Sequence, residues 1–216
     1  MRRYLPYVIV AFVALATFAA GFALYRAKRA ALPPGAKGGP ASGIHVRGKA
    51  DAPVTIEEFG DFQCPPCSIM SSVLEKTEEE YRGRVRLIFH HFPLPVHAQA
   101  RAAAIAAEAA GMQGRFWEMH DFLYREQPDW SKAPDALLLF EAYASKVGLD
   151  MERFKKDVRD PAVAARVEGD HKLGESRGVT STPTLFVNTA LLPPTELNPA
   201  GLHKAIDAAL PGKPKS

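Results

Sequence analysis

The sequence predicts an α/β fold in which strands alternate with helices and a block of helices is inserted before the last strand. Three observations lead there. Three short stretches show β-type alternation, a C-x-x-C motif joins the first of them to an amphipathic helix, and a long run of helix-forming residues separates the second from the third.

The elements follow in order. In "PVTIEEF" (Pro53–Phe59), Val54, Ile56 and Glu58 alternate with Thr55, Glu57 and Phe59, which predicts a strand. A helix is expected from about Pro65 to Tyr81, with Ile69, Val73 and Leu74 inward. "RVRLIFHHF" (Arg84–Phe92) alternates Val85, Leu87 and Phe89 against Arg84, Arg86 and His90, and Pro93 and Pro95 stop it.

Helices are then expected over Ala98–Ala110, Arg115–Glu126 and Pro134–Gly148. Asp150 and Asp160 suit N-caps, the latter followed by Pro161 at the first helical position. "GVTSTPTLFVN" (Gly178–Asn188) reads as loop, proline and the short strand Thr184–Val187. Asn198 and Pro199 open a last helix.

The chain of 216 residues has a net charge of +3, unevenly spread. Residues 1–43 carry six basic side chains and no acid, which leaves 21 basic and 24 acidic residues, or −3, for the rest. The main domain therefore gives no electrostatic support for nucleic-acid binding. Leu5–Tyr25 is 21 residues without a charge. As a helix it would span roughly 30 Å, enough to cross a bilayer core. Its length favours an uncleaved membrane anchor over a cleaved signal peptide, and either sends the rest of the chain out of the cytoplasm. Residues 26–43 are rich in Gly, Pro, Ala and Ser and read as a flexible linker. The folded domain is expected over 44–212, with the helical insertion over about 97–175.

Cys64 and Cys67 are the only cysteines, in "FGDFQCPPCSIM". A structural disulfide closing so short a loop would stabilise little, and a zinc site wants four ligands where this motif supplies two. The histidines do not sit at ligand spacings. The redox reading has a physical basis. Cys64 at the start of a helix meets free N–H groups and the positive dipole end, which stabilise a thiolate, the nucleophile of disulfide exchange. Cys67, one turn inside, would be the resolving thiol. Pro65 costs nothing at the first helical position.

"EFGDFQCPPC", then "HHFPLPVHAQARAAAIAAEAAGMQGRFWEMHDFLYREQ", then "GVTSTPTLFVN" together resemble the DsbA-like thioredoxin-fold family of thiol–disulfide oxidoreductases. The resemblance covers about residues 44–210. It implies a thioredoxin core with an inserted helical domain and an enzyme that needs neither cofactor nor metal. It implies Cys64 as the attacking cysteine, Cys67 as the resolving one, and Pro183 as the cis-proline facing them. The backbone of Thr182 would pair with a bound substrate strand. Glu58 stands where the family often has a buried acid beneath the disulfide. Such an acid could move the proton of Cys67; a solvated strand acid is the other reading.

Phe59, Phe62 and Trp117 read as core, and His91 and His97 as structural. After Asn188 stands Thr189, where relatives usually place a glycine, so the last hairpin departs from the pattern.

The expected function is oxidation of cysteine pairs in exported proteins at the extracytoplasmic face of the cell membrane (the periplasm in a Gram-negative cell). A membrane redox partner would recycle the disulfide. Pro66 has no N–H and no imidazole, so Cys64 loses a thiolate donor and a weaker oxidant than the best-known relatives is expected. Disulfide reductase or isomerase action at the same site is the alternative, and a non-enzymatic chaperone or metal-delivery module a third. No dimerisation domain is visible, so a monomer is expected.

Overall fold

The computed structural model describes residues 44–211; the anchor or signal segment over 1–25 and the linker over 26–43 lie outside them. Among the described residues no helix is long and apolar enough to cross a membrane.

Strands β1 (His45–Gly48) and β2 (Val54–Gly60) are followed by helix α1 (Pro65–Glu80) and strand β3 (Val85–His91). Helices α2 (Ala100–Gly111), α3 (Phe116–Arg125), α4 (Gln127–Trp130), α5 (Leu137–Val147), α6 (Met151–Asp157) and α7 (Pro161–Ser176) come next. The chain then returns to β4 (Thr184–Val187), β5 (Ala190–Leu191), a 3-10 turn at Pro194–Glu196 and α8 (Pro199–Ala209). The strands form one sheet in the order β1-β3-β2-β4-β5. Only β2 and β3 run parallel, and α1 is the crossover that such a pair requires.

The alternation along β2 sorts its side chains. Val54 and Ile56 bury against Met70 and Leu74 of α1 and Leu202 and Ile206 of α8. Phe59 points to the opposite face, among Phe92, Val179 and Phe186. The inserted helices close a second core around Met119, Leu123, Trp130, Phe140 and Phe154, and this cluster also takes in Phe62, Cys64 and Cys67. The cysteines therefore sit where the helical block meets the sheet.

Local signals explain most boundaries. Asp150, Asp160 and Asn198 cap α6, α7 and α8, each carboxylate or amide oxygen accepting a backbone N–H of the first turn. Gly148 ends α5 in the left-handed region at φ 84°.

Three expectations change. Ile69 is 70% exposed, because Cys67, Met70, Leu74 and Thr77 form the buried stripe of α1 and Ile69 lies outside it. Strand β1 has no sequence counterpart: four residues, two of them His45 and Arg47, are too short and polar to show alternation. The last hairpin forms without the expected glycine. Asn188 itself takes φ 55°, a conformation Asn tolerates, and β5 pairs with β4 as Phe186↔Leu191 and Val187↔Ala190.

Candidate active site

Cys64 is the N-cap of α1, with extended backbone, and Pro65 and Pro66 fill the first two helical positions. Neither proline has an N–H, so the first donor the helix offers is the backbone of Cys67. Both cysteines are free and buried. The Cys64 thiol donates to the Thr182 carbonyl at 3.4 Å, which places the Thr182–Pro183 peptide, cis in this chain, directly against the sulfur.

The two thiols differ in proton affinity. A hydrogen bond from the Cys67 side chain, together with one from the Cys67 backbone, brings the Cys64 pKa down to about 6, against partial burial and the Asp61 charge. Burial pushes Cys67 far above the ordinary thiol range, and the hydrogen bond it gives to Cys64 and the Glu58 charge push the same way. At neutral pH Cys64 is the thiolate and Cys67 keeps its proton.

Glu58 is fully buried on the α1 face of β2, between Phe89 of β3 and Leu185 of β4. The alternative reading, a solvated strand acid, does not hold. Burial raises its pKa to about 8, helped by the Cys64 charge, and neither carboxyl oxygen has a hydrogen-bond partner among the described residues. Its neighbour Glu57 points the other way and pairs with Arg177 at 2.6 Å.

Residues that motif reading passed over hold the loop before Cys64. The Asp61 carboxylate is buried and accepts from Gln63 N at 2.7 Å, Leu94 N at 2.8 Å and His97 Nδ1 at 2.7 Å. Gln127, at the start of α4, donates from Nε2 to the carbonyls of Phe62 at 2.6 Å and Cys64 at 3.0 Å. Gln63 donates to the Ser131 carbonyl at 2.8 Å. The inserted helices thus fix the active-site loop from outside the sheet. No short motif carries these contacts, which arise only on folding.

Beside Pro183 lies a groove of about 370 Å³ whose lining includes Pro66, Val179, Thr182, Leu191 and Leu197. Phe59 and Phe62 are core side chains, as expected. Trp117 is partly buried under the Arg47 guanidinium, 4.2 Å from its ring.

One buried set has metal-ligand reach. His45 of β1, His91 of β3 and Glu108 of α2 bring ligand atoms within 4.8 Å of one another. Sequence spacing hid them, since His45 and Glu108 are 63 residues apart. His45 Nε2 lies 2.6 Å and His91 Nε2 3.1 Å from one Glu108 oxygen, and Arg166 lies 2.8 Å from the other. Burial opposes ionisation of Glu108, but the hydrogen bonds from His45 and His91 outweigh it and hold its pKa below the carboxylate range. Arg166 already supplies the balancing cation, so the set reads as an ion-paired clasp between sheet and helices.

Comparisons with known proteins agree with this fold. A family model described as Thioredoxin matches residues 41–208. BdbD from Bacillus subtilis, in its oxidised form, superposes with a TM-score of 0.71 at 29% identity, covering 81% of this chain and 97% of that one. A thioredoxin-like oxidoreductase from Silicibacter pomeroyi gives 0.66 at 28% identity, over 78% of this chain and 92% of that one. DsbA2 from Pseudomonas aeruginosa gives 0.61 at 28% identity, over 80% and 96%. Among curated relatives, the Na(+)/H(+) antiporter NhaA 1 of Salinispora arenicola is 41% identical over 145 residues, 67% of this chain but 21% of that protein. The chain thus spans a small part of that relative's length. The thioredoxin match, by contrast, takes in nearly all of the folded chain, which belongs to the thioredoxin family, in its DsbA-like group of thiol–disulfide oxidoreductases.

Proposed function

We propose that this chain is an extracytoplasmic disulfide-interchange enzyme that oxidises cysteine pairs of exported proteins. The observation that carries the reading is the split between the two thiols. Cys64, hydrogen-bonded by Cys67 at a helix start, has its pKa lowered to about 6, while Cys67 behind it holds its proton. A low-pKa thiolate is a good leaving group, so the reduced pair is stabilised and the disulfide form oxidises its clients.

The reaction balances over two exchanges. A client thiolate attacks Cys64 Sγ of the Cys64–Cys67 disulfide. That S–S bond breaks, and Cys67 leaves with the electron pair. Glu58, protonated at neutral pH with a pKa of about 8, stands ready to give Cys67 its proton. The second client thiolate then attacks the client sulfur of the mixed disulfide, and Cys64 leaves as a stable thiolate. The client dithiol loses two electrons and the Cys64–Cys67 pair gains them. Pro183 and the Thr182 backbone would present the client strand in the adjoining groove, with main-chain pairing supplying affinity without sequence specificity. A membrane redox partner then returns the pair to the disulfide, and residues 5–25 would hold the enzyme near it.

The cysteine pKa supports a moderate oxidant. C-x-x-C oxidoreductases span thiolate pKa values from about 7 to about 3.5, and Cys64 at about 6 lies nearer the weaker end. Pro66 gives the reason, since it places no donor beside the sulfur. The same observation favours reductase or isomerase action as the second reading. Equilibration against glutathione mixtures separates the two. A potential near the periplasmic oxidants supports the oxidase, and one as low as about −270 mV, typical of a cytosolic reductant, overturns it.

A further inference from the structure

Tyr124 is a buried group that the reaction above leaves unused. It sits on α3, in the inserted helical block, 3% exposed, and its hydroxyl has no hydrogen-bond partner among the described residues. Its phenol ring lies against Phe62, with centroids 4.9 Å apart, and reaches the sheet. There the hydroxyl would lie 2.9 Å from a Cβ built on Gly60, so only a residue without a side chain leaves it room. Gly60 is two residues after Glu58 on β2, and residues two apart share a face of a strand. The unpartnered hydroxyl and the unpartnered Glu58 carboxyl therefore share one buried face of the central strand, beneath Cys67.

We infer that Tyr124 is a positioning residue for the proton-transfer step: its hydroxyl donates a hydrogen bond to the negative charge left on the Glu58–Cys67 pair once Cys67 has departed from the disulfide. The inference rests on the disulfide-exchange reading and deepens it. In the resting disulfide this pocket is neutral. When the S–S bond breaks, one electron pair stays on Cys67, a proton crosses from the Glu58 carboxyl to the sulfur, and a buried carboxylate remains. Neither Glu58 oxygen has a hydrogen-bond donor among the described residues, and the Tyr124 hydroxyl has no other partner to give up. Tyr124 is suited to the task because burial raises its own pKa well above 10, so it lends its proton without giving it up.

Three other titratable groups around this pocket cannot take the role. Cys64 is itself anionic, and the Asp61 carboxylate is an acceptor already held by three donors. His120, one turn before Tyr124, is held uncharged by burial, with a pKa of about 4. Its Nδ1 faces Asp121 at 2.8 Å and so carries the proton, which leaves Nε2 an acceptor.

The test is Tyr124→Phe, which removes one unpartnered buried hydroxyl and keeps the packing. The first readout is the pH profile of reduction of the Cys64–Cys67 disulfide by a dithiol peptide. The rate should fall about tenfold, the equivalent of one hydrogen bond to a charged group. In a Glu58→Gln background the same change should have almost no effect, which a merely structural role would not produce. The second readout needs no turnover: carbon-13 NMR of the Glu58 carboxyl in the reduced protein. Its midpoint should rise by about one pH unit in Tyr124→Phe, since the charged form loses its donor. An unchanged Glu58 midpoint overturns the inference whatever the activity. A wild type without any thiol–disulfide exchange overturns the disulfide-exchange reading instead, and the Glu58 midpoint still decides the placement of Tyr124.

Discussion

Cys64 and Cys67 are one helical turn apart, yet their surroundings share little. Cys64 caps α1, faces the Thr182 carbonyl beside Pro183, and has a pKa lowered to about 6. Cys67 points down into the junction of sheet and helices, over the buried acid of β2, and its pKa is raised. The difference teaches where each half of the chemistry resides. On the proposed reading, nucleophile stability comes from the hydrogen bonds that Cys67 gives to Cys64 at the start of a helix. On the same reading, proton handling falls to a buried pocket that two parts of the chain build together, Glu58 from the sheet and Tyr124 from the inserted helices.

Removing one side of the comparison should have the largest effect. Cys64→Ser should abolish oxidation of a reduced test protein. Cys67→Ser should instead let mixed disulfides with clients accumulate, visible on non-reducing gels. Equal residual activity in the two variants would mean that their roles are not divided in this way.

Next in size is the buried acid. Its pKa is raised from 4.5 to about 8, so the folded state holds a proton that the unfolded state releases. The stability this contributes is present below pH 4.5 and is lost as pH rises toward 8. Relative to wild type, Glu58→Gln should therefore gain stability across that window, by at most about 5 kcal/mol, since each pH unit between the two values is worth about 1.4 kcal/mol. Denaturant unfolding at a series of pH values reads it directly. Parallel pH curves for the two proteins would place Glu58 in water. The same variant should slow departure of Cys67 by about 100-fold, the lower range for a general acid.

A smaller change should sharpen the Cys64 side alone. Pro66→His adds a donor beside the sulfur, and one hydrogen bond to a charged group is worth about 1.5–3 kcal/mol. The Cys64 pKa should drop by about one unit and the pair should become more oxidising, with the Glu58 titration unmoved. A more reducing pair would contradict the account of Pro66. Smallest of all, Ile69→Ser on the exposed side of α1 should stay within about 0.5 kcal/mol of wild type in stability.

Legibility in the sequence followed the same divide. The Cys64 side rests on local chemistry: a C-x-x-C at a helix start and a proline before a short strand are contiguous, so both could be read. Glu58 was legible as a position but not as a buried group, because Glu57 beside it offers the same residue type and only the strand's facing separates them. Tyr124 looked like an ordinary member of a helical run, and Gln127 stood just past the end of that run. Their approach to the active-site loop depends on how the inserted helices pack, and the set His45, His91 and Glu108 depends on three separate elements meeting. The hairpin at Asn188 went the other way: a missing glycine suggested an altered edge, and Asn188 supplied the left-handed turn itself.

The division between the two thiols is tested most directly by titrating thiolate absorbance in the reduced protein, with Cys64→Ser and Cys67→Ser as controls. The account predicts one thiolate forming with a midpoint near pH 6, lost in Cys64→Ser, and no second thiolate up to about pH 9. Two thiols titrating together near the ordinary value of about 8.5 would contradict it.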